Sequence, residues 1–330
     1  MTKTIVYSCP YVPAEWIAAH GLQPSRVMPD AASSATVMAR REGVCPYVRA
    51  FVGETVTYEQ GGAVVVTTVC DQMRRAFDIL VRQSELPTFL MNVPSTWQTV
   101  ASQRLYVGEL ERLGRFLVRL GGKPPSQNEL AKVMLEYDAA RASILAARDS
   151  ISARQYAEAI AALGRDGPDG IADYLVGLAP LNSGVRLAIV GGPLMRSDLD
   201  LYDMVEQAGG RIVLDATETG ERGMCGPFDR RRLREDPLAE LANAYFGGIQ
   251  DASRRPNSEL YRWLAHELTA RAVRGIIFRR YVWCDIWHAE LQRLKEWANL
   301  PVLDIDVAGD TEIERHRWEN RIRAFVETLT

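Results

Sequence analysis

At 330 residues, 47% hydrophobic and 25% charged, the chain is long enough for one large domain or two to three smaller ones around a substantial core. A net charge of −3, with no basic tract interleaved with aromatics, argues against a nucleic-acid partner. The opening MTKTIVYSCPYV runs straight into a β-like segment without a signal peptide's apolar core. No stretch of about 18 apolar residues follows, so a cytoplasmic protein with no membrane span is expected.

In chain order, residues 4–8 (TIVYS), 63–69 (AVVVTTV) and 87–92 (PTFLMN) read as short buried strands, separated by the helical patterns PAEWIAAHG and CDQMRRAFDILVRQ. From about residue 95 to 163 apolar positions recur at helical spacing, with Ser95 and Ser126 as candidate N-caps. After GRDGPDG and NSG the strand–helix alternation returns: strands at 185–192, 211–217, 275–283 and 300–306, and helices at 197–210, 237–246, 259–272 and 285–298. Alternating strands and helices predict an α/β fold of two lobes with parallel sheets flanked by helices, plus a helical insert between them. The expected boundaries are 1–100, 101–183 and 184–330.

The five cysteines, at 9, 45, 70, 225 and 284, are odd in number and form no CxxC pair, which makes a disulfide framework a poor reading. Inert buried thiols, one catalytic thiolate, or a cluster assembled from distant positions remain open. Cys70 and Cys284 each end a predicted strand, precede an aspartate and open a helix, and Cys45 also stands before a helical pattern. Helix N-terminal amides there are expected to bond a thiolate and depress its pKa. Three such soft sulfurs facing a cleft suit an iron–sulfur cluster.

Nine segments in order along nearly the whole chain, among them CPYVPAEWIAAHGLQPSRV, GVCPYVRAF, VVVTTVCDQMRRAFD, LDATETGERG, RGIIFRRYVWCD and RIRAFVETL, resemble the 2-hydroxyacyl-CoA dehydratase and benzoyl-CoA reductase superfamily, cluster-binding component, which includes the double-cubane cluster proteins. The resemblance implies that Cys45, Cys70 and Cys284 ligate one 4Fe-4S cluster with one iron left open. It also implies a separate ATP-hydrolysing iron–sulfur activator protein, which delivers an electron that passes through the cluster to a thioester carbonyl. The chain itself has no Gly-x-x-x-x-Gly-Lys loop, which argues against its own nucleotide site. Double-cubane relatives carry an 8Fe cluster on six cysteines; this chain has five, leaving Cys9 and Cys225 as further ligands or packed thiols.

Other polar residues divide similarly. Glu15 reads as a cleft base or a capping carboxylate, and His288 as a proton donor near Cys284 or a helix-face histidine. Thr217, Glu218, Thr219 and Arg222 sit at a strand-to-helix junction suited to a substrate or to an ordinary polar loop. Arg74 and Arg75 read as a surface for the activator or a CoA phosphate, or as a solvated helix face, and LYVGELERLGRFLVRL as packing at a subunit interface. Two function classes follow. One is an ATP-activated reductase or dehydratase of an acyl-CoA thioester or a small non-CoA molecule. The other is a non-catalytic, cluster-bearing or structural subunit that completes a heterodimer while its sister chain does the chemistry; a homodimer or a heterodimer with a related chain is expected in either class.

Overall fold

The computed structural model describes residues 2–33, 43–57, 61–175, 183–309 and 312–330. The stretch 176–182, inside the expected helical section just before its boundary at 183, lies outside them, as does Asp310 of the LPVLDIDVAGD match. The fold is α/β as expected, with two four-stranded parallel sheets flanked by helices. The first contains β1 (Thr4–Tyr7), β2 (Gln23–Arg26), β3 (Gly61–Thr67) and β4 (Thr88–Met91) in the order β2-β1-β3-β4. The second contains β5 (Val185–Gly191), β6 (Gly210–Ala216), β7 (Gly275–Tyr281) and β8 (Val302–Val307) in the order β6-β5-β7-β8. The two orders are the same, so β1 corresponds to β5 and β3 to β7. In each sheet the order reverses between those two strands, which opens a crevice beyond their carboxyl ends.

Strands covered on both faces read as continuous apolar runs, and AVVVT in β3 is one: Ala63, Val64, Val65 and Val66 are all buried. Alternate residues serve different cores. Ile5, Tyr7, Ala63 and Val65 face the helices Val100–Arg119 and Gln127–Ala147, and that core also takes in Phe228, Leu241 and Phe246 from beyond β6. Val6, Val64 and Val66 face the other way and share one apolar cluster with Leu187, Ile189, Ile277 and Ile305 of the second sheet. Sheet two's opposite face, with Ala188, Val190 and Phe278, packs on Leu260, Leu264 and Leu294. The lobes are thus joined by common packing.

Two local features depart from the pattern read in the text. Strand β2, QPSR, has no β-branched residue and was not expected; it is an edge strand, where Pro24 costs no ladder bond, and its pairing with β1 defines it. Ser126 caps its helix in a full capping box with Glu129, the Glu129 carboxylate accepting from Ser126 N at 2.7 Å. Ser95 caps nothing. Its carbonyl accepts from Arg255 N at 2.9 Å, which ties it to the second lobe, and the helix opens instead at Thr99, whose Oγ1 accepts from Ser102 N at 3.1 Å.

Glu15, a candidate cleft base in the sequence, lies instead in the interior of the first lobe. Its carboxylate is fully buried, accepting from Arg141 Nη1 and from Tyr245 Oη at 2.6 Å each. This ties the short Ala14–Ala19 helix to Gln127–Ala147 and to the single π-turn Asn243–Gly247. Because Arg141 is itself buried, removing the carboxylate strands a cation in apolar surroundings. Glu15→Ala is therefore expected to cost about 3–5 kcal/mol, read as a lowered urea midpoint at unchanged m-value.

Candidate functional site

Three cysteines occupy the N-cap position of three helices. Cys45 caps Pro46–Val56, Cys70 caps Asp71–Gln83 and Cys284 caps Asp285–Trp297. Pro46 at the first helical position is preorganised for that start. Cys70 Sγ accepts from the amide of Met73 at 3.4 Å, three residues on, as an N-cap side chain does. The amides of Tyr47 and Val48 face Cys45 and that of Trp287 faces Cys284, without closing a cap hydrogen bond. Cys284 is preceded by Trp283 with φ of 66°, a left-handed conformation uncommon for a bulky residue.

These thiols line one cavity of about 140 Å³ between the two sheets. Its walls come from the strand ends where each sheet order reverses. Ser8 and Cys9 follow β1, Val69 and Cys70 follow β3, Pro193 follows β5, and Trp283 and Cys284 follow β7. The close approach of β5 to β7 requires glycine at 191, where a Cβ would lie 2.0 Å from the Arg279 carbonyl oxygen. Gln72 clamps the Cys45 loop: its Oε1 accepts from Cys45 N and its Nε2 donates to the Gly43 carbonyl, both at 3.2 Å. Trp283 stands at the same cavity, 56% exposed.

The expected depression of the thiol pKa values is not what the surroundings produce. Burial pushes Cys284 up to about 12, with the nearness of the Cys45 sulfur adding to it, and it raises Cys70 and Cys45 as well. Amide bonds lower each value but lose to desolvation. Cys9 is likewise pushed up to about 12 by burial and by Glu218. As bare thiols all four are neutral, so binding an electropositive group there releases protons. Arg279, fully buried beneath the Tyr281 ring and paired with Asp198 at 2.5 Å, contributes positive charge on the Cys45 side.

Of the junction residues, Glu218 alone lines the cavity. Burial and the neighbouring Asp251 raise its carboxyl to about 7, against the lowering pull of Arg26 and Arg222. Thr217 and Thr219 are buried behind it: Thr217 Oγ1 donates to Asp215 at 2.7 Å, and Thr219 Oγ1 accepts from Leu194 N at 3.1 Å. Arg222 is buried too, bonding Asp251 at 2.5 Å and the carbonyls of Ala216 and Gly191 at 2.9 and 2.8 Å. It positions Asp251, a cavity wall. His288 is exposed on its helix and does not line the cavity, and Cys225 lies apart, in a pocket of about 50 Å³ with Tyr7, Tyr137 and Arg141. Gln72, Asp251 and Trp283 were not singled out in the sequence. Only the adjacency of Gln72 to Cys70 and of Trp283 to Cys284 could have marked them.

The family described as 2-hydroxyglutaryl-CoA dehydratase, D-component, matches residues 9–329, a span that begins at Cys9 and contains the whole thiol cavity. The chain belongs to this family. It is a component of the 2-hydroxyacyl-CoA dehydratase type of system. Comparison with curated proteins finds no match. Among the described residues no helix is long and apolar enough to cross a membrane.

Glu218 offers a check by pH. Its carboxyl holds a proton more tightly in the folded chain, at about 7 against 4.5 for the unperturbed group. Its contribution to stability is therefore fully present below the lower value and is lost as pH rises through the higher one. The wild-type melting temperature is expected to fall more than that of Glu218→Gln between about pH 5 and about pH 8. Parallel melting curves of the two proteins over that range would contradict this.

Proposed function

We propose that the chain is the iron–sulfur cluster-bearing component of an ATP-activated, low-potential reductase or dehydratase acting on an acyl-CoA thioester. The reaction is dehydration of a 2-hydroxyacyl-CoA or reduction of an aromatic acyl-CoA. The observation that carries this reading is the convergence of three N-cap thiols on one cavity at the reversal points of both sheets. Soft sulfur donors on three separate helices fit a 4Fe-4S cubane. Three thiols spread around a cavity of this size suit a polynuclear group. Cys225 lies in another pocket, so the five thiols do not converge, which favours one cubane over an 8Fe double cubane.

When bound, the cluster would supply one-electron transfer chemistry and Lewis acidity toward a substrate oxygen. In this reading Cys45, Cys70 and Cys284 hold it, and Gln72 fixes the Cys45 loop against the Cys70 helix. Glu218 holds or releases a proton at the cavity wall, its raised pKa matching neutral conditions. Tyr281 and Trp287 close the cavity against water, and Trp283 borders its entrance. A separate ATP-hydrolysing iron–sulfur activator supplies the electron, and a related chain or a second copy completes a dimer.

Anaerobic purification with iron and sulfide counts tests the cluster. Cys45→Ser, Cys70→Ser and Cys284→Ser are each expected to lose most bound iron, whereas Cys225→Ser retains it. Full iron with an unchanged spectrum in any of the first three overturns the assignment. The iron-loaded chain should also melt higher than the iron-free chain, because binding to the native state adds its free energy to folding. Turnover is expected from acyl-CoA thioesters only when activator and ATP are both added. Glu218→Gln should retain iron while lowering the rate by about 10²-fold or more.

A further inference from the structure

Among the described residues five arginines are buried, and four face a carboxylate: Arg141 faces Glu15, Arg222 Asp251, Arg279 Asp198, and Arg280 Asp304. Arg254 is the exception. It is 2% exposed, and its guanidinium carbon lies 4.6, 4.9 and 5.3 Å from the ring centroids of Phe246, Trp97 and Tyr11. One nitrogen, Nη2, donates to the Phe246 carbonyl; Nε and Nη1 have no acceptor. Among the described residues no carboxylate lies within 4.0 Å of it. Aromatic faces soften the desolvation of a buried cation but supply no countercharge.

Arg254 lines a polar cavity of about 310 Å³ with Arg74, Asn92, Ser95, Thr96 and Ser253. Arg74 is a second cation there, largely exposed and 3.8 Å from Asp71 in its own helix. Asn92 Oδ1 accepts from Thr68 Oγ1 at 2.9 Å, which leaves its amide nitrogen on the other side as a donor. The remaining residues contribute hydroxyls. Ser95 and Thr96 follow β4 and Ser253 and Arg254 come from the second lobe, joined by Arg255 N bonding the Ser95 carbonyl at 2.9 Å. Two guanidinium groups with amide and hydroxyl donors on one wall are the donor set of an oxyanion site.

We propose that this cavity binds a compact oxyanion, of the phosphate class, which supplies the countercharge Arg254 lacks. The site is distinct from the thiol cavity but adjoins it: Val69 borders both, and the 251–254 loop contributes Asp251 to one and Ser253 and Arg254 to the other. The oxyanion is either free or the anionic arm of a molecule whose other end lies among the thiols. The site itself does not depend on the cluster.

Inorganic phosphate is the probe, with chloride at matched ionic strength as control, on the full-length chain. Phosphate is expected to raise the melting temperature saturably. Arg254→Lys, which keeps the charge but loses the fork, and the exposed Arg74→Ala should each weaken phosphate binding about tenfold by calorimetry. Arg74→Ala keeps the test informative should the buried variant fail to fold. No response beyond that to chloride, or equal affinity in wild type and Arg74→Ala, overturns the proposal. Repeating the titration on Cys70→Ser separates it from the cluster reading, because phosphate binding is expected to survive there. Competition then assigns the source. Phosphate that displaces a phosphate-bearing thioester but not its phosphate-free analogue marks the oxyanion as part of the substrate. Phosphate that binds without displacing either marks a free anion, and the site stands in both cases.

Discussion

The structure depends on how two parallel sheets of identical strand order meet. Each sheet reverses order between its first and third strands in sequence, and a crevice opens at that reversal because the connections on either side depart in opposite directions. The two crevices face a common cavity, and the shared apolar cluster that includes Val6, Val64, Ile189 and Ile277 holds them together. Every cavity thiol stands in a loop leading out of a strand end or into a helix. The chemistry at the site therefore follows from the register of the sheets.

Buried charge is the second organising force. Glu15 with Arg141, Arg222 with Asp251 and Arg279 with Asp198 each lie almost entirely out of water and join separate parts of the chain. Such pairs add little net stability over apolar packing, yet each is costly to break singly. Their value here is positional. Arg222 fixes the Asp251 loop at the wall of the thiol cavity, and the two act on Glu218 in opposite senses, Asp251 raising its carboxyl and Arg222 lowering it. The same loop leads to Arg254, where the pattern of compensation stops.

The thiols show two effects in competition. Helix N-termini favour thiolates, but at this depth desolvation wins, and the cysteines are acids too weak to ionise by themselves at neutral pH. A site of this kind selects for a partner that carries its own positive charge. Glu218 titrates near neutrality for the related reason that burial and Asp251 disfavour its anion.

Legible in the chain's text were the α/β class, the alternation of strands and helices, the N-cap at Ser126, and the equivalence of Cys70 and Cys284. These rest on local signals: β-branched runs, helical periodicity, and a cysteine and aspartate at a strand-to-helix junction. Which polar residues meet is settled by folding in three dimensions. Glu15 lies in one interior with Arg141 and Tyr245 while Glu218 lines the thiol cavity, and no spacing distinguishes them, since the partners of Glu15 stand 126 and 230 residues away and Glu218 answers to Arg26 of the other lobe as well as to Asp251 and Arg222. Strand β2 likewise exists through its pairing with β1, and the direction of the thiol pKa shifts through burial. Both are sums over neighbours brought together by folding, and a linear pattern carries no record of them.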